Sequence, residues 1–189
     1  MKSSQKWILF GFMAIVQLLV PAYLIFESEY TMKEGRTLNF RTEPVDPNDV
    51  FRGKYVQLRF TESFVNTDRA LSVDEGQTVY ITFHQDEEGF AIPLDVLFDE
   101  PSSDVDYLAY ENDYIRLADS IFYFQYPFDR FYMEESKAPE AELLYQDAVA
   151  DTMQRAWATV TLHKGRAVLR DVMINGESIS ELAKKSLAK

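Results

Sequence analysis

The first hydrophobic positions of the chain are continuous rather than periodic. Trp7 to Phe26 reads WILFGFMAIVQLLVPAYLIF, twenty residues without a formal charge. A helix of that length rises about 30 Å, the thickness of bilayer hydrocarbon. From Glu27 to Arg36 the chain is polar, which predicts a short extension of the helix ending at Gly35. Beyond it the period becomes two. Thr37–Thr42, Tyr55–Phe60 and Thr78–His84 alternate as half-buried strands do, and a polar QDEEG turn leads from the third into Phe90–Phe98. Pro93 predicts an edge or a bulge for that strand. YLAYENDYIRL and SIFYFQYPF, between Asp104 and Phe131, add two more strand-like runs. Ser136–Met153 has a helical period with Leu144, Ala148 and Val149 on one face. Ala156–His163 and Arg166–Ile174 predict a hairpin turning at Lys164-Gly165. Ser178–Lys189 predicts a short last helix with Ser178 and Glu181 as a capping box. The fold expected is mainly β, a β-rich α+β domain of antiparallel sheets with one or two helices, behind a single N-terminal transmembrane helix.

Charge orients this plan. Lys2 and Lys6 precede the apolar run, and Glu27 and Glu29 follow it. The positive-inside rule then puts residues 1–6 in the cytoplasm, 7–26 across the cytoplasmic (inner) membrane as a signal-anchor, 27–36 beside it, and 37–189 outside as an exported domain, periplasmic or extracellular. The run exceeds the ~7–15 residues of a signal-peptide core, and no small-x-small cleavage site follows. Without Lys2 and Lys6 the chain keeps 17 basic residues against 31 acidic ones, about −14. An acidic surface excludes nucleic acid as a partner, because a phosphate backbone needs a basic face. It also predicts repulsion from anionic lipid. The absence of cysteine removes thiol nucleophiles, iron–sulfur ligation and disulfides.

Candidate chemistry is sparse. Ser186-Leu-Ala-Lys189 spells S-x-x-K, but at a terminus that frays. His84 and His163 lie at strand ends beside turns, where solvent-side positions are expected, and no Gly-x-Ser-x-Gly elbow accompanies them. The acidic turns lack the alternation and central Gly of a calcium loop. No metal site and no cofactor is expected. The aromatic run Ile121–Tyr132 is the richer feature. Alternation puts Phe122, Phe124, Tyr126 and Phe128 on a core face and Tyr123 and Gln125 on the other. An exposed Tyr123 with Arg130 and Tyr132 would make a docking surface for sugar, peptide or a protein partner.

The segment PVDPNDVFRGKYVQLRF, Pro44 to Phe60, is the most specific motif. It resembles the bacterial membrane-anchored family named after GDYXXLXY, whose motif falls here on Gly53, Lys54, Tyr55, Leu58 and Phe60, with the DPxD turn at Asp46, Pro47 and Asp49 and with Arg52 upstream. TVYITF, FDRFYMEE and GRAVLRDVMINGESI resemble the family's following strand, its Arg-aromatic-aromatic stretch and its closing hairpin. Lys54 departs from the motif's Asp and Phe60 from its last Tyr. The resemblance implies an anchored exported domain without established activity, often encoded beside or fused to a polytopic membrane protein. Physically the motif reads as a turn and a strand, in which Asp46, Pro47, Asp49, Gly53, Leu58 and Phe60 are structural and Val56, Leu58 and Phe60 face inward. Arg52, Lys54 and Tyr55 are left as candidate binding residues. The function expected is that of a binding or accessory subunit of a polytopic membrane partner; the alternatives are an envelope hydrolase and a glycan-binding module.

Overall fold

The computed structural model describes residues 3–43, 55–67, 76–102, 104–111, 115–118, 120–150 and 155–188. The turn carrying Asp46, Pro47, Asp49, Arg52, Gly53 and Lys54 lies outside them.

Helix α1 (Ser3–Glu34) is longer than the apolar run alone, with Pro21 inside it. Phe10–Glu34 is long and apolar enough to cross a membrane, and none of its most apolar stretch is buried in the domain. Its last turns do the opposite. Thr31 is buried, the Tyr30 ring meets His163 edge-on at 5.4 Å, and Glu27 pairs with Arg166. Gly35 then passes so close to the sheet that a Cβ there would stand 2.5 Å from the Leu162 carbonyl and 2.6 Å from that of Thr31.

Strand β1 (Arg36–Glu43) follows at once and lies antiparallel to β11 (Ala156–His163), from Arg36 opposite Leu162 to Arg41 opposite Trp157. β11 forms the expected hairpin with β12 (Arg166–Ile174), with Gly165 at a φ of +77° in the turn. With β3 (Arg59–Phe60) and β13 (Glu177–Ser178) these strands make one sheet, ordered β13-β12-β11-β1-β3. Three small antiparallel sheets complete the body. They are β2 (Tyr55–Gln57) with β10 (Arg130–Tyr132), β4 (Phe64–Asn66) with β9 (Ile121–Phe124) and β8 (Ile115–Ala118), and β5 (Val79–Gln85) between β6 (Ala91–Leu97) and β7 (Asp106–Tyr110). Pro93 sits on the edge strand β6, opposite Phe83, next to a break in register after Thr82.

Some expectations need correction, and the run YLAYENDYIRL supplies two strands, β7 and β8, to different sheets. Tyr55–Phe60 is not one strand. The Leu58 N–H donates to the Asp129 carbonyl at 2.8 Å, and there the chain leaves the ribbon with β10 and passes to the edge of the large sheet. Inward and outward positions still alternate through the break, with Val56, Leu58 and Phe60 buried. The SIFYFQYPF run likewise stops being a strand at Phe124, although Tyr126 and Phe128 remain buried beyond it.

The core is aromatic. Phe40 of β1 packs against Phe60, Phe83, Tyr126 and Phe128 with centroids 5.3 to 6.3 Å apart, mostly edge-on. That geometry sets the positive ring edge of one partner against the negative face of the other. The Tyr126 hydroxyl donates to the Glu62 carbonyl at 2.6 Å, so its polar end is satisfied. Helix α2 (Ala138–Ala150) covers this core with Ala138, Ala141, Tyr145 and Ala148, a spacing of three and four that keeps them on one stripe. Burial pushes the Tyr145 hydroxyl up to about 12. Helix α3 (Ile179–Leu187) packs on α2, where the Ser186 hydroxyl donates to Glu140 at 2.6 Å. Ser178 is its N-cap residue but makes no side-chain cap, so the expected capping box is not formed. Its extended backbone already belongs to β13, which fixes it in the sheet.

The β5–β6 turn is clamped onto β1. Arg41 reaches Asp86 at 2.6 Å and Glu88 at 3.0 Å, and its guanidinium lies 4.3 Å from the Phe90 ring centre. N–H groups of Phe90 and Glu88 also donate to the Asp86 carboxylate. Those backbone donors, with Arg41, hold Asp86 below its ordinary value of 3.8. A lowered carboxyl value stabilises the fold above the unfolded-state value, and that contribution disappears as pH falls through the folded one. Asp86→Asn should therefore flatten the acid limb of a melting-temperature profile below about pH 4. An acid limb as steep as the wild type's would remove Asp86 as its source.

Candidate functional site

The β2–β10 ribbon brings three of the sequence-derived candidates together. Register places Tyr55 opposite Tyr132 and Gln57 opposite Arg130, so these four side chains share one face. Val56 and Phe131, opposite each other on the other face, are turned to the core. The Tyr55 and Tyr132 rings lie 5.4 Å apart at 59°, and the Arg130 guanidinium sits 5.4 Å from the Tyr55 centre. Hydrogen bonding to Tyr132, with Asp129 beside it, raises the Arg130 value. Tyr132 is 65% exposed.

The ribbon is braced from behind. α2 packs on β2, the Gln57 N–H donates to Glu142 at 3.3 Å, and the Gln57 amide donates to Asp129 at 3.2 Å. Ring faces and a guanidinium on a supported, flat surface suit stacking and charge-assisted hydrogen bonds to a partner's carboxylate or carbonyl groups. Arg52 and Lys54 lie outside the described residues.

Tyr123 does not join this group. It is on β9, opposite Phe64 of β4, with rings 6.3 Å apart; both are about two-fifths exposed. The aromatic run thus feeds two different sheets, because the chain turns between Phe124 and Arg130. His163 is also not a simple solvent-side residue. Its Nε2 is buried without a hydrogen-bond partner among the described residues, and its ring meets Tyr30 edge-on. His84 is exposed. Among the described residues no three of His, Asp and Glu gather as a metal-holding group. Ser186 is bonded to Glu140 in the contact between the last two helices.

Sequence reasoning missed the seat of α1 on the β11–β12 hairpin. Two crevices flank that seat. One, of about 300 Å³, lies between Leu24, Glu27, Ser28 and Thr31 of α1 and Gly165 to Val168. The other, of about 210 Å³, includes Glu34, Arg36, Asp106, His163 and Lys164. Thr31, in the polar segment after the apolar run, is buried at this seat, and no periodicity in that segment marks it.

Fold and surface define a β-rich domain of antiparallel sheets fused to one apolar helix of membrane-spanning length. The chain belongs to the GDYXXLXY protein family, whose sequence model matches residues 17–172. The function of that family is unknown. Neither a curated protein nor a solved structure matches the chain.

Proposed function

We propose that the protein is a single-pass component of the bacterial cytoplasmic membrane, N-terminus inside, whose exported domain (residues 37–189) docks on the outward face of a polytopic membrane partner. The observation that carries this reading is the braced Tyr55–Arg130–Tyr132 surface. Tyr and Arg are enriched in binding hot spots, Tyr for its large, rigid ring and Arg for its planar fork of donors. The span at residues 7–26 confines the domain near the membrane, so a membrane-bound partner is met at high effective concentration.

The natural absence of cysteine permits a direct test. In intact cells, a membrane-impermeant thiol crosslinker on Tyr132→Cys should capture a multipass membrane protein, and the same reagent on Tyr123→Cys should not. Arg130→Glu should abolish the product. Labelling that requires a broken membrane would overturn the orientation, and equal capture at both positions would overturn the surface.

A further inference from the structure

The contacts of α1 fix which end of the domain faces the bilayer. Along the chain, Glu27 meets Arg166, Tyr30 meets His163, Gly35 meets Leu162 and Thr161, Arg36 is opposite Leu162, and Arg41 is opposite Trp157. Each step away from the apolar run is a step back along β11. The β11–β12 turn is therefore the end nearest the membrane. The far end of β12, at Ile174, is eight residues on, about 26 Å at the rise of a strand.

The height of that turn follows from the helix. A bilayer carries about 5–7 Å of headgroup layer on each side of its hydrocarbon, which four or five helical residues cross. With hydrocarbon ending at Phe26, that layer coincides with Glu27–Thr31, the residues gripping the hairpin. Lys164 and Arg166 flank the turn, Lys164 exposed and Arg166 half-exposed on its pair with Glu27. Beside them the larger crevice has apolar walls in Leu24, Pro127, Ala167 and Val168 and opens where hydrocarbon would give way to headgroups.

We infer that the β11–β12 turn is set into the phospholipid headgroup layer on the domain's side of the membrane, with the crevice against α1 filled by phospholipid. This rests on α1 being a membrane span. Lys164 and Arg166 meet lipid phosphates, and Leu24, Ala167 and Val168 line the glycerol and upper acyl region. The tip that approaches the bilayer carries the cations, while Glu27 is neutralised by Arg166 and Glu34, Asp104 and Asp106 line the crevice on the other side of the turn.

The test uses full-length protein reconstituted in phosphatidylethanolamine–phosphatidylglycerol vesicles, with single cysteines carrying a bimane fluorophore. Headgroup-nitroxide lipid should quench the Lys164→Cys site severalfold more than the Glu177→Cys site at the far end. Lipid with a nitroxide high on the acyl chain should quench Val168→Cys. A label at Val16→Cys, quenched from deep in the acyl region, reports the span independently. Quenching at Val16 with Lys164 and Val168 as free as Glu177 would overturn this placement and leave the span intact; no quenching at Val16 would overturn both.

Discussion

Phe40→Ala is expected to cost about 4 kcal/mol. The side chain is 1% exposed and four rings converge on it. Removing it leaves a cavity those rings cannot close, since Phe60, Tyr126 and Phe128 also brace one another at 4.7 to 5.3 Å. Phe40→Leu should cost less than half as much, because most of the volume is kept. Denaturant melting of full-length protein in detergent checks both. Equal losses for Ala and Leu would mean that the cluster is held by something other than its packing.

Gly35→Ala should destabilise the junction of helix and sheet by about 3 kcal/mol, more than loss of an ordinary glycine would suggest. The obstacles are mainly backbone, the carbonyls of Leu162 and Thr31, with the Thr161 methyl at 2.6 Å, so rotating a side chain cannot relieve it. The body of the domain should survive while α1 lifts from the hairpin. Limited proteolysis between Glu34 and Arg36 should become rapid at a temperature where the wild type resists. If Gly35→Ala resists cleavage equally, the helix is seated less tightly than these distances require.

Wherever packing and local period agree, the elements were legible in advance. The β11–β12 hairpin, the β5–β6 turn and the stripe of α2 all follow from alternation or three-four spacing plus one turn residue, and all are present. The failures share a cause in long-range pairing. Nothing within Tyr55–Phe60 reveals that Leu58 will bond to Asp129, seventy-one positions away, and divide the strand between two sheets. Ser178 has the right neighbours for a cap, yet its backbone is claimed by β12. The candidate surface was half legible: Tyr123 and Tyr132 stand out alike as docking candidates, but only pairing with β2 puts Tyr132 beside Tyr55 and leaves Tyr123 with Phe64. The Arg41 clamp gathers carboxylates from turns more than twenty residues off, and no local pattern marks it.

The order of strands in the large sheet has a consequence for biosynthesis. β1, near the start of the chain, is held between β3 and β11, and its hydrogen-bonded neighbour Thr161 lies 124 residues beyond Thr37. Pairing across so long a loop is slow, because the closure entropy is lost before any contact repays it. During synthesis β1 emerges more than a hundred residues before the strand that must cover it. Until β11 has been made, the rings that pack on Phe40 are already present, but the β11 edge of β1 stays open to other chains. A nascent chain stalled before Ala156 should therefore be cut readily at β1 and become resistant there once the β11–β12 hairpin arrives.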